Sequence, residues 1–186
     1  MIVILSGVSG AGKDTIKRIL MGKDGRIKTL PSYTTREKRV NEIEGQNYYY
    51  VSKEKFKEMI DNNEFYEYSV HHGNYYGTNK KLLNERIKNN IVLKDIDVNG
   101  TEDLLKIFRG TEIKIISIFL NISKEEMLRR LENRDDKLKQ EEIELRMERY
   151  DYEMNHIGIY DYVIKNYDAE KTSNIILDII KREQEQ

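Results

Sequence analysis

The chain has 186 residues, a net charge of −1 and no cysteine. This length predicts a single domain with a sizeable buried core, and the balanced charge excludes a strongly basic surface for nucleic acid or membranes. Because the chain lacks cysteine it has no disulfides, and because it lacks a long apolar run we expect a soluble, intracellular protein without a signal peptide or membrane span.

The predicted elements alternate between apolar strands and amphipathic helices. Short runs of apolar, mostly β-branched residues predict strands at 2–5, 91–93, 113–120 and 162–164. Helical patterns occur at about 13–21, 78–89, 101–108, 124–133, 141–156 and 169–183. Ser123 and Glu126 predict a capping box at the start of the helix at Lys124. This alternation favours an α/β protein with a mostly parallel sheet.

Two segments interrupt the alternation. The first, at residues 32–70, is rich in tyrosine and charge, and it predicts strands at 48–51 and 65–70 that flank a helix at 52–62. This pattern indicates a small α/β insertion. The second, at residues 134–140, is polar or charged except for Leu138. Because it lies between two predicted helices, it is typical of a mobile lid.

The sequence GVSGAGKDT at residues 7–15 predicts a phosphate-binding loop. Glycines at positions 7, 10 and 12 allow successive backbone N–H groups to converge on one anion, and the dipole of the following helix favours negative charge. Lys13 would then contact the β- and γ-phosphates. The loop follows an apolar strand and opens a helix, as the G-x-x-x-x-G-K motif requires. The alternative is an ordinary glycine-rich turn.

Asp14 occupies the position where this motif usually has serine or threonine. A carboxylate about 4 Å from a phosphate charge is repelled by about 4 kcal/mol at a surface-like dielectric. Asp14 therefore either points away from the phosphates or meets a magnesium ion, for which carboxylate is a suitable ligand. We expect it to point away or to act through water, and we expect Thr15 to supply the working hydroxyl.

Five further segments, spread in order along nearly the whole chain, are SYTTREKR (32–39), EGQNYYYVSKEKFKEMIDNNEFYEY (44–68), GNYYGT (73–78), DIDVNG (95–100) and YDYVIKN (160–166). In this order they resemble guanylate kinase, which transfers a phosphoryl group from ATP to GMP. The resemblance implies a P-loop three-layer α/β fold with a mostly parallel sheet, an inserted GMP-binding subdomain and a helical lid. It implies one domain with its core at about 1–31, 79–125 and 157–186, the insertion at about 32–78 and the lid at about 126–156.

The resemblance implies that Glu67 and Ser32 bind the guanine base. The Glu67 carboxylate would accept from the guanine N1–H and N2–H₂ groups, and the Ser32 hydroxyl would donate to O6. Adenine lacks both of those donors, so a buried carboxylate would reject it. Thr78 corresponds to a hydroxyl contact near the base, although it could equally cap the next helix. The alternative for Glu67 is a solvated strand residue.

The resemblance also implies a set of contacts to the GMP phosphate. An arginine is suited to this role because its planar guanidinium pairs with two phosphate oxygens. The basic residues could instead form a solvated loop, and Tyr49 and Tyr50 are expected to be ordinary strand residues. The implied phosphate contacts are Arg36, Arg39, Tyr48 and Tyr76.

Two carboxylates end the apolar strand in LKDID at residues 93–97. Asp95 and Asp97 lie at i and i+2, on the same side of the strand, and the resemblance places them beside GMP and magnesium. With Thr15, Asp95 would meet the ion through water. The alternative is that these aspartates only cap the following loop. Lys94, between them and the apolar run, is expected to face the other way, towards solvent.

The resemblance assigns the catalytic roles to Lys13 and to lid arginines at 130, 134 and 146, which would neutralise charge on the transferring phosphoryl group. Asn133-Arg134-Asp135 departs from the G-R-G of the family, and the spacing to Arg146 is one residue longer. Arg129 and Arg149 are therefore either functional neighbours or residues of solvated helix faces. The implied catalytic residues are Lys13, Arg130, Arg134 and Arg146. The implied ATP-binding residues are Gly7, Ser9, Gly10, Ala11, Gly12, Lys13, Asp14, Thr15, Arg134 and Asn166.

The function implied is ATP:GMP phosphotransfer by direct in-line attack, with Mg²⁺ bound to ATP. The expected partners are ATP and GMP, without nucleic acid or membrane, and the expected location is the cytoplasm; the oligomeric state is left open. One alternative is a catalytically inactive guanylate kinase-like interaction module. Another is a kinase of a different small phosphorylated acceptor, which the Ser32–Glu67 pair disfavours.

Overall fold

The computed structural model describes residues 1–71, 73–133 and 140–185. Within these ranges the chain forms nine β-strands, seven α-helices and a 3₁₀ helix at Ile157–Ile159. The strands are β1 (Ile2–Gly7), β2 (Ile27–Thr29), β3 (Ser32–Thr34), β4 (Tyr48–Tyr50), β5 (Phe65–His71), β6 (Asn74–Asn79), β7 (Ile91–Asp95), β8 (Ile115–Asn121) and β9 (Tyr162–Lys165). The helices are α1 (Lys13–Lys23), α2 (Lys53–Asp61), α3 (Lys80–Ile87), α4 (Val98–Phe108), α5 (Lys124–Glu132), α6 (Gln140–Asn155) and α7 (Ala169–Gln184).

The strands form two sheets. The five-stranded sheet has the order β2-β7-β1-β8-β9, and its pairs β2–β7 and β8–β9 are parallel. The four-stranded sheet has the order β4-β3-β6-β5, in which β6 is antiparallel to both of its neighbours. All six residues of β1 are buried, as expected of a central strand that is covered on both faces. Among the described residues, no helix is long and apolar enough to cross a membrane.

The first of two compact units comprises residues 1–4 and 26–115. Its main core packs the start of β1 and β7 against α3 and α4, through residues such as Ile4, Val92 and Leu104. A smaller cluster forms where Phe56 of α2 stacks on Phe65 of β5, with ring centroids 4.5 Å apart. This unit contains the whole four-stranded sheet.

The second unit comprises residues 5–25 and 116–186. In it α1 packs against α7, and both helices bury apolar side chains such as Ile16 and Ile176. At the end of α1, Lys23 Nζ lies 2.5 Å from the Glu170 carboxylate and donates to Asn174 Oδ1 at 2.6 Å. This unit therefore holds the glycine-rich loop on a packed pair of helices.

The structure confirms the main predicted strands and helices but changes several boundaries. Ser123 caps α5 by accepting from the Glu126 amide, which confirms its half of the predicted capping box, whereas the Glu126 carboxylate accepts from Arg129 and Arg130. The helix expected from residue 78 begins at Lys80 because Asn79 is its N-cap, and the one expected from 101 begins at Val98 because Asp97 is its N-cap. Strands β2, β3 and β6 were missed. The predicted mobile segment at 134–140 falls outside the described residues except for Gln140, which begins α6.

Candidate active site

The glycine-rich loop packs closely against other residues of its own unit. Gly7 has φ 151°, and a Cβ there would lie 2.4 Å from the Leu120 carbonyl oxygen. Gly12 is the N-cap of α1 with φ 88°, and a Cβ there would lie 2.9 Å from Asn166 Nδ2. Lys13 Nζ donates to the Gly7 carbonyl at 2.7 Å. The lysine therefore folds back over the loop, with its charge beside the backbone that would surround a phosphate.

Asn166 supports this loop from behind. It is 2% exposed, its Nδ2 donates to the Ala11 carbonyl at 2.6 Å, and its backbone N–H donates to the Asn121 carbonyl at 2.8 Å. Among the described residues its Oδ1 is buried without a hydrogen-bond partner. The observed contacts of Asn166 fix the position of the loop; its predicted contact with ATP stays a prediction.

Two of the predicted arginines contact the loop directly. Arg130 donates from Nη1 to the Gly10 carbonyl at 3.1 Å and from Nη2 to the Asn166 carbonyl at 2.9 Å. Arg146 Nη1 donates to Ser9 Oγ at 2.6 Å. The structure thus brings both guanidinium groups to the phosphate-binding loop. Arg134, the third predicted arginine, lies outside the described residues.

Glu126 holds Arg130 in this position. Arg130 Nε donates to Glu126 Oε1 at 2.7 Å, and Arg129 donates to both oxygens of the same carboxylate. These hydrogen bonds from Arg129 and Arg130 lower the pKa of Glu126 to about 2. Arg129, an alternative to the lid arginines, is therefore engaged on the α5 surface, while Arg149 pairs with Glu153 at 3.1 Å.

The Asp14 side chain lies in solvent. It is 95% exposed, and its Oδ1 pairs with Lys17 Nζ at 2.7 Å, one helical turn further along α1. Thr15 is also exposed. The predicted roles of Asp14 and Thr15 towards ATP and its ion stay predictions.

In the first unit, Glu67 presents a buried carboxylate. It is 6% exposed and lies on β5 opposite Thr78 of β6, whose hydroxyl donates to Glu67 Oε1. Gly100 in the first turn of α4 leaves room for the carboxylate, because a Cβ there would lie 3.2 Å from Glu67 Oε2. Burial raises the pKa of Glu67, although the charge of Lys94 and the Thr78 hydrogen bond act in the opposite direction.

Lys94 does not face solvent, so that expectation was wrong. The side chain is 1% exposed, and its Nζ donates to Ser32 Oγ at 2.5 Å and to the Leu30 carbonyl at 3.4 Å. It is buried because the strand β7 is covered on both faces, and the neighbouring segment around β3 supplies acceptors. The position of a lysine directly after the apolar residues IVL in IVLKD was the signal from which its burial could have been predicted.

A second cluster in this unit surrounds Arg36. Its Nη2 lies 2.7 Å from Glu42 Oε1, and its guanidinium lies 5.2 Å from the centroid of the Tyr48 ring. Tyr48 in turn makes an edge contact with Tyr76 at 5.9 Å. Arg39 is exposed, and only its backbone N–H is seen to join the cluster, donating to Glu42 Oε2 at 2.9 Å. Three of the four predicted phosphate contacts thus have their side chains close together.

Sequence reasoning missed Glu42 and Tyr50 in this cluster. The Tyr50 hydroxyl, expected to belong to an ordinary strand residue, donates to Glu42 Oε2 at 2.8 Å. Burial would raise the pKa of Glu42, but hydrogen bonds from Arg36, the Arg39 backbone and Tyr50 outweigh it and lower the pKa to about 2. Burial, together with this hydrogen bond to Glu42, raises the pKa of Tyr50 to about 12. The only signal for this cluster in the sequence was an acidic residue six positions after Arg36.

Asp97 is occupied by structural contacts. Its Oδ1 accepts from the Gly100 amide at 2.9 Å at the start of α4, and its Oδ2 lies 2.5 Å from His71 Nε2. Asp97 therefore caps α4, and its predicted contact with GMP stays a prediction. Asp95 ends β7 and is half-buried. Among the described residues there is no group of three or more acidic or histidine side chains that could hold a metal ion by themselves.

The comparisons with known proteins decide the family. The family model described as guanylate kinase matches residues 1–183. The chain belongs to the guanylate kinase family. Relatives named guanylate kinase include those of Prochlorococcus marinus, 40% identical over 97% of this chain and 96% of theirs, and of Helicobacter pylori, 38% identical over 97% and 86%.

Solved structures agree with this assignment. The crystal structure of guanylate kinase from Anaplasma phagocytophilum matches with a TM-score of 0.80 at 31% identity, over 100% of this chain and 87% of that one. A shikimate kinase from Acinetobacter baumannii matches with a TM-score of 0.53 at 15% identity, which shows a shared fold only. The predicted guanylate kinase family and the predicted α/β fold of the P-loop class are both confirmed.

Proposed function

We propose that this member of the guanylate kinase family transfers the γ-phosphoryl group of ATP to GMP, giving ADP and GDP. The observation that carries the proposal is the family match along residues 1–183, in a chain that has all three loop glycines and Lys13. The relatives are named as kinases, and nothing in the comparisons favours the inactive interaction module. The chain is accordingly an enzyme of the nucleoside monophosphate kinase type.

Recognition of guanine is assigned to Glu67, Ser32 and Thr78. A buried carboxylate needs donors to replace water, and guanine supplies two on one edge through N1–H and N2–H₂. Thr78 already supplies one donor to Glu67 Oε1, which leaves the rest of the carboxylate for the base. Adenine would leave that carboxylate facing an acceptor, so AMP is rejected.

The GMP phosphate is assigned to Arg36, Arg39, Tyr48 and Tyr76. Arg36 is held by Glu42 and stacked on Tyr48, so little side-chain entropy is lost when a phosphate binds it. Arg39 is exposed and can turn towards the same phosphate. Asp95 ends the neighbouring β7 and Asp97 is the N-cap of α4, and we place further contacts to GMP at these two residues.

The phosphates of ATP are assigned to the loop from Gly7 to Thr15 with Lys13, and Arg134 and Asn166 are assigned to the adenine side. A phosphate oxygen of GMP attacks the γ-phosphorus while the bond to the bridging oxygen of ADP breaks, so no general base is required. Lys13, Arg130, Arg134 and Arg146 would neutralise the charge that develops on the transferred group. Exclusion of water prevents hydrolysis of ATP.

Magnesium suits the donors that the chain offers. Thr15 supplies a hydroxyl and Asp95 a carboxylate, which are hard oxygen ligands of the kind Mg²⁺ takes, and the described residues hold no all-protein cage. Such an ion is held chiefly by ATP phosphates and water, with these two residues meeting it through water. When bound, it would withdraw charge from the β- and γ-phosphate oxygens.

The proposal also assigns the parts of the chain, the partners and the location of the protein. We assign the core to about 1–31, 79–125 and 157–186, the GMP-binding insertion to about 32–78 and the lid to about 126–156. The substrates are the small molecules ATP and GMP, without a nucleic acid or membrane partner, and the site of action is the cytoplasm.

A coupled assay of ADP release tests the proposed function. With ATP and Mg²⁺, the protein should turn over GMP and show at least about 100-fold lower kcat/KM with AMP, CMP or UMP, because each lacks the guanine donors. Folded protein that shows no GMP-dependent release of ADP would rule out the enzyme assignment. Equal turnover of another monophosphate would favour the kinase of a different acceptor.

A further inference from the structure

Lys94 is a buried cation in a strand that otherwise buries apolar residues. Ile91, Val92 and Leu93 precede it, and Lys94 itself is 1% exposed. Burying an ammonium group costs free energy unless it is paired and hydrogen-bonded, and a leucine or methionine would pack there without that cost. The charge therefore calls for a reason beyond packing.

The first reason lies in the hydrogen bond between Lys94 and Ser32. Lys94 Nζ lies 2.5 Å from Ser32 Oγ. An ammonium group can only donate, whereas a serine hydroxyl has one proton and two acceptor lone pairs. The lysine thus occupies an acceptor position on Ser32 Oγ and leaves the Ser32 proton for a different acceptor. A hydroxyl fixed in this way favours a carbonyl oxygen over an amino group.

The second reason lies in the charge beside Glu67. Burial raises the pKa of Glu67, and the negative charges of Asp97 and Asp103 raise it further. The positive charge of Lys94 and the hydrogen bond from Thr78 lower it. An ionised carboxylate accepts from two donors, while a protonated one has lost part of that capacity. One buried ammonium group therefore acts on both of the residues that are assigned to the guanine base.

We propose that Lys94 is a positioning residue for purine specificity: it holds the Ser32 hydroxyl as a donor to the 6-oxo group and supports the Glu67 carboxylate that accepts from the 1- and 2-positions. The proposal rests on the assignment of Ser32 and Glu67 to the GMP base. Lys94 acts through these two side chains. Its proposed role involves no contact with the reacting phosphates. By occupying one lone pair of Ser32 Oγ, Lys94 biases this hydroxyl towards donation, which favours a 6-oxopurine.

The test compares GMP with 6-thio-GMP, which carries a weakly accepting sulfur in place of O6. For K94M, kcat/KM with GMP should fall by about tenfold, mostly through KM, whereas kcat/KM with 6-thio-GMP should fall by at most about twofold. The preference for GMP over 6-thio-GMP should therefore shrink by about fivefold. K28M, which replaces an exposed lysine on β2 of the same unit, should leave this preference unchanged.

A double-mutant cycle separates positioning from a general loss of packing. If Lys94 acts through Ser32, adding K94M to S32A should change the preference for GMP over 6-thio-GMP by at most about 1.5-fold. An equal loss with both nucleotides in K94M, or an undiminished effect of K94M in the S32A background, would overturn the proposal. Absence of GMP turnover in the unmodified protein would instead contradict the proposed function.

Chemical rescue compares a charged and a neutral side chain of the same length at position 94. The chain has no cysteine, so K94C introduces its only thiol. Alkylation of unfolded K94C with 2-bromoethylamine, followed by refolding, restores an ammonium group of nearly the same length, and alkylation with a propyl halide gives a neutral side chain of similar size. The aminoethyl product should show the preference for GMP over 6-thio-GMP that the unmodified protein has, and the propyl product should not. Equal preference in the two products would overturn the proposal.

Discussion

At the scale of single residues, the side chains assigned to the substrates are already held by partners. Arg36 is held by Glu42, Arg146 by Ser9 and Glu67 by Thr78. Because a long side chain loses rotamer freedom when it binds, such partners reduce the entropic cost of binding a nucleotide. The motifs name the residues that we assign to the substrates, while the structure adds the residues that orient them.

Asp14 is the residue whose chemistry departs from the loop motif, and its exposure leads to a prediction. Since its carboxylate lies in solvent and pairs with Lys17, D14S should lose an exposed ion pair worth about 0–1 kcal/mol. We expect the Mg²⁺ concentration for half-maximal turnover to change by less than about twofold.

T15A provides the comparison for this prediction, because Thr15 is the hydroxyl assigned to the ion. Titration of turnover against Mg²⁺ should show a clear change for T15A and almost none for D14S. A shift in Mg²⁺ dependence for D14S as large as that for T15A would mean that Asp14 meets the ion.

At the scale of elements, the connection between β3 and β4 is organised around one carboxylate. Glu42 accepts from the Arg36 side chain, the Arg39 backbone and the Tyr50 hydroxyl, so it ties the connection to the end of β4. The Asn47 side chain adds a second tie by accepting from the Ile43 amide at 2.8 Å. A segment without regular secondary structure is thereby held in one conformation.

The pKa of Glu42, lowered to about 2, makes this connection sensitive to acid. A carboxylate whose folded pKa lies below its unfolded value stabilises the fold above the unfolded value, near 4.5, and loses that contribution as the pH falls through about 2. The free energy of unfolding should therefore be lower for E42Q than for the unmodified protein by about 1 kcal/mol at pH 7.

Urea denaturation between pH 7 and pH 2 measures this difference. The gap between the unmodified protein and E42Q should close as the pH falls from about 4.5 to about 2. E37Q, which changes an exposed acid in the same connection, should track the unmodified protein throughout. A gap that persists unchanged at pH 2 would show that Glu42 does not act through its charge.

At the scale of the whole molecule, each assigned nucleotide site is built largely inside one compact unit. The loop and its arginines belong to the unit of residues 5–25 and 116–186, and Glu67, Ser32 and Arg36 belong to the unit of residues 1–4 and 26–115. Side chains that contact different ligands and lie in different units should contribute to the two binding free energies almost independently.

This separation predicts the thermal stability of two variants with each ligand. Either nucleotide should stabilise the unmodified protein by about 2.7 kcal/mol at 100 times its Kd. K13A should lose most of the stabilisation by ATP and keep that by GMP, and E67A should do the reverse. Differential scanning fluorimetry with each nucleotide alone measures the effect, and loss of both stabilisations in either variant would contradict it.

Local signals in the sequence predicted the parts of the fold that depend on neighbouring residues. The apolar strand β1, the loop and the Ser123 cap all follow from side chains within a few positions of one another. β6 was missed because its sequence NYYGTN reads as a turn, with a glycine and two asparagines. Its strand conformation comes from pairing with β3 and β5, and Gly77 is required because a Cβ there would lie 2.9 Å from the Phe56 and Phe65 rings.

The sequence by itself determined the family, most of the strands and helices, and the loop with Lys13, because each depends on a motif or a periodicity that is local in the chain. Only the tertiary structure decided how Lys94 meets Ser32, how Glu42 gathers Arg36 and Tyr50, and how Asn166 supports Ala11. Burial and hydrogen bonding between residues far apart in sequence depend on the packing of whole elements. A lysine in a buried strand can be paired or exposed, and the contacts around it decide which.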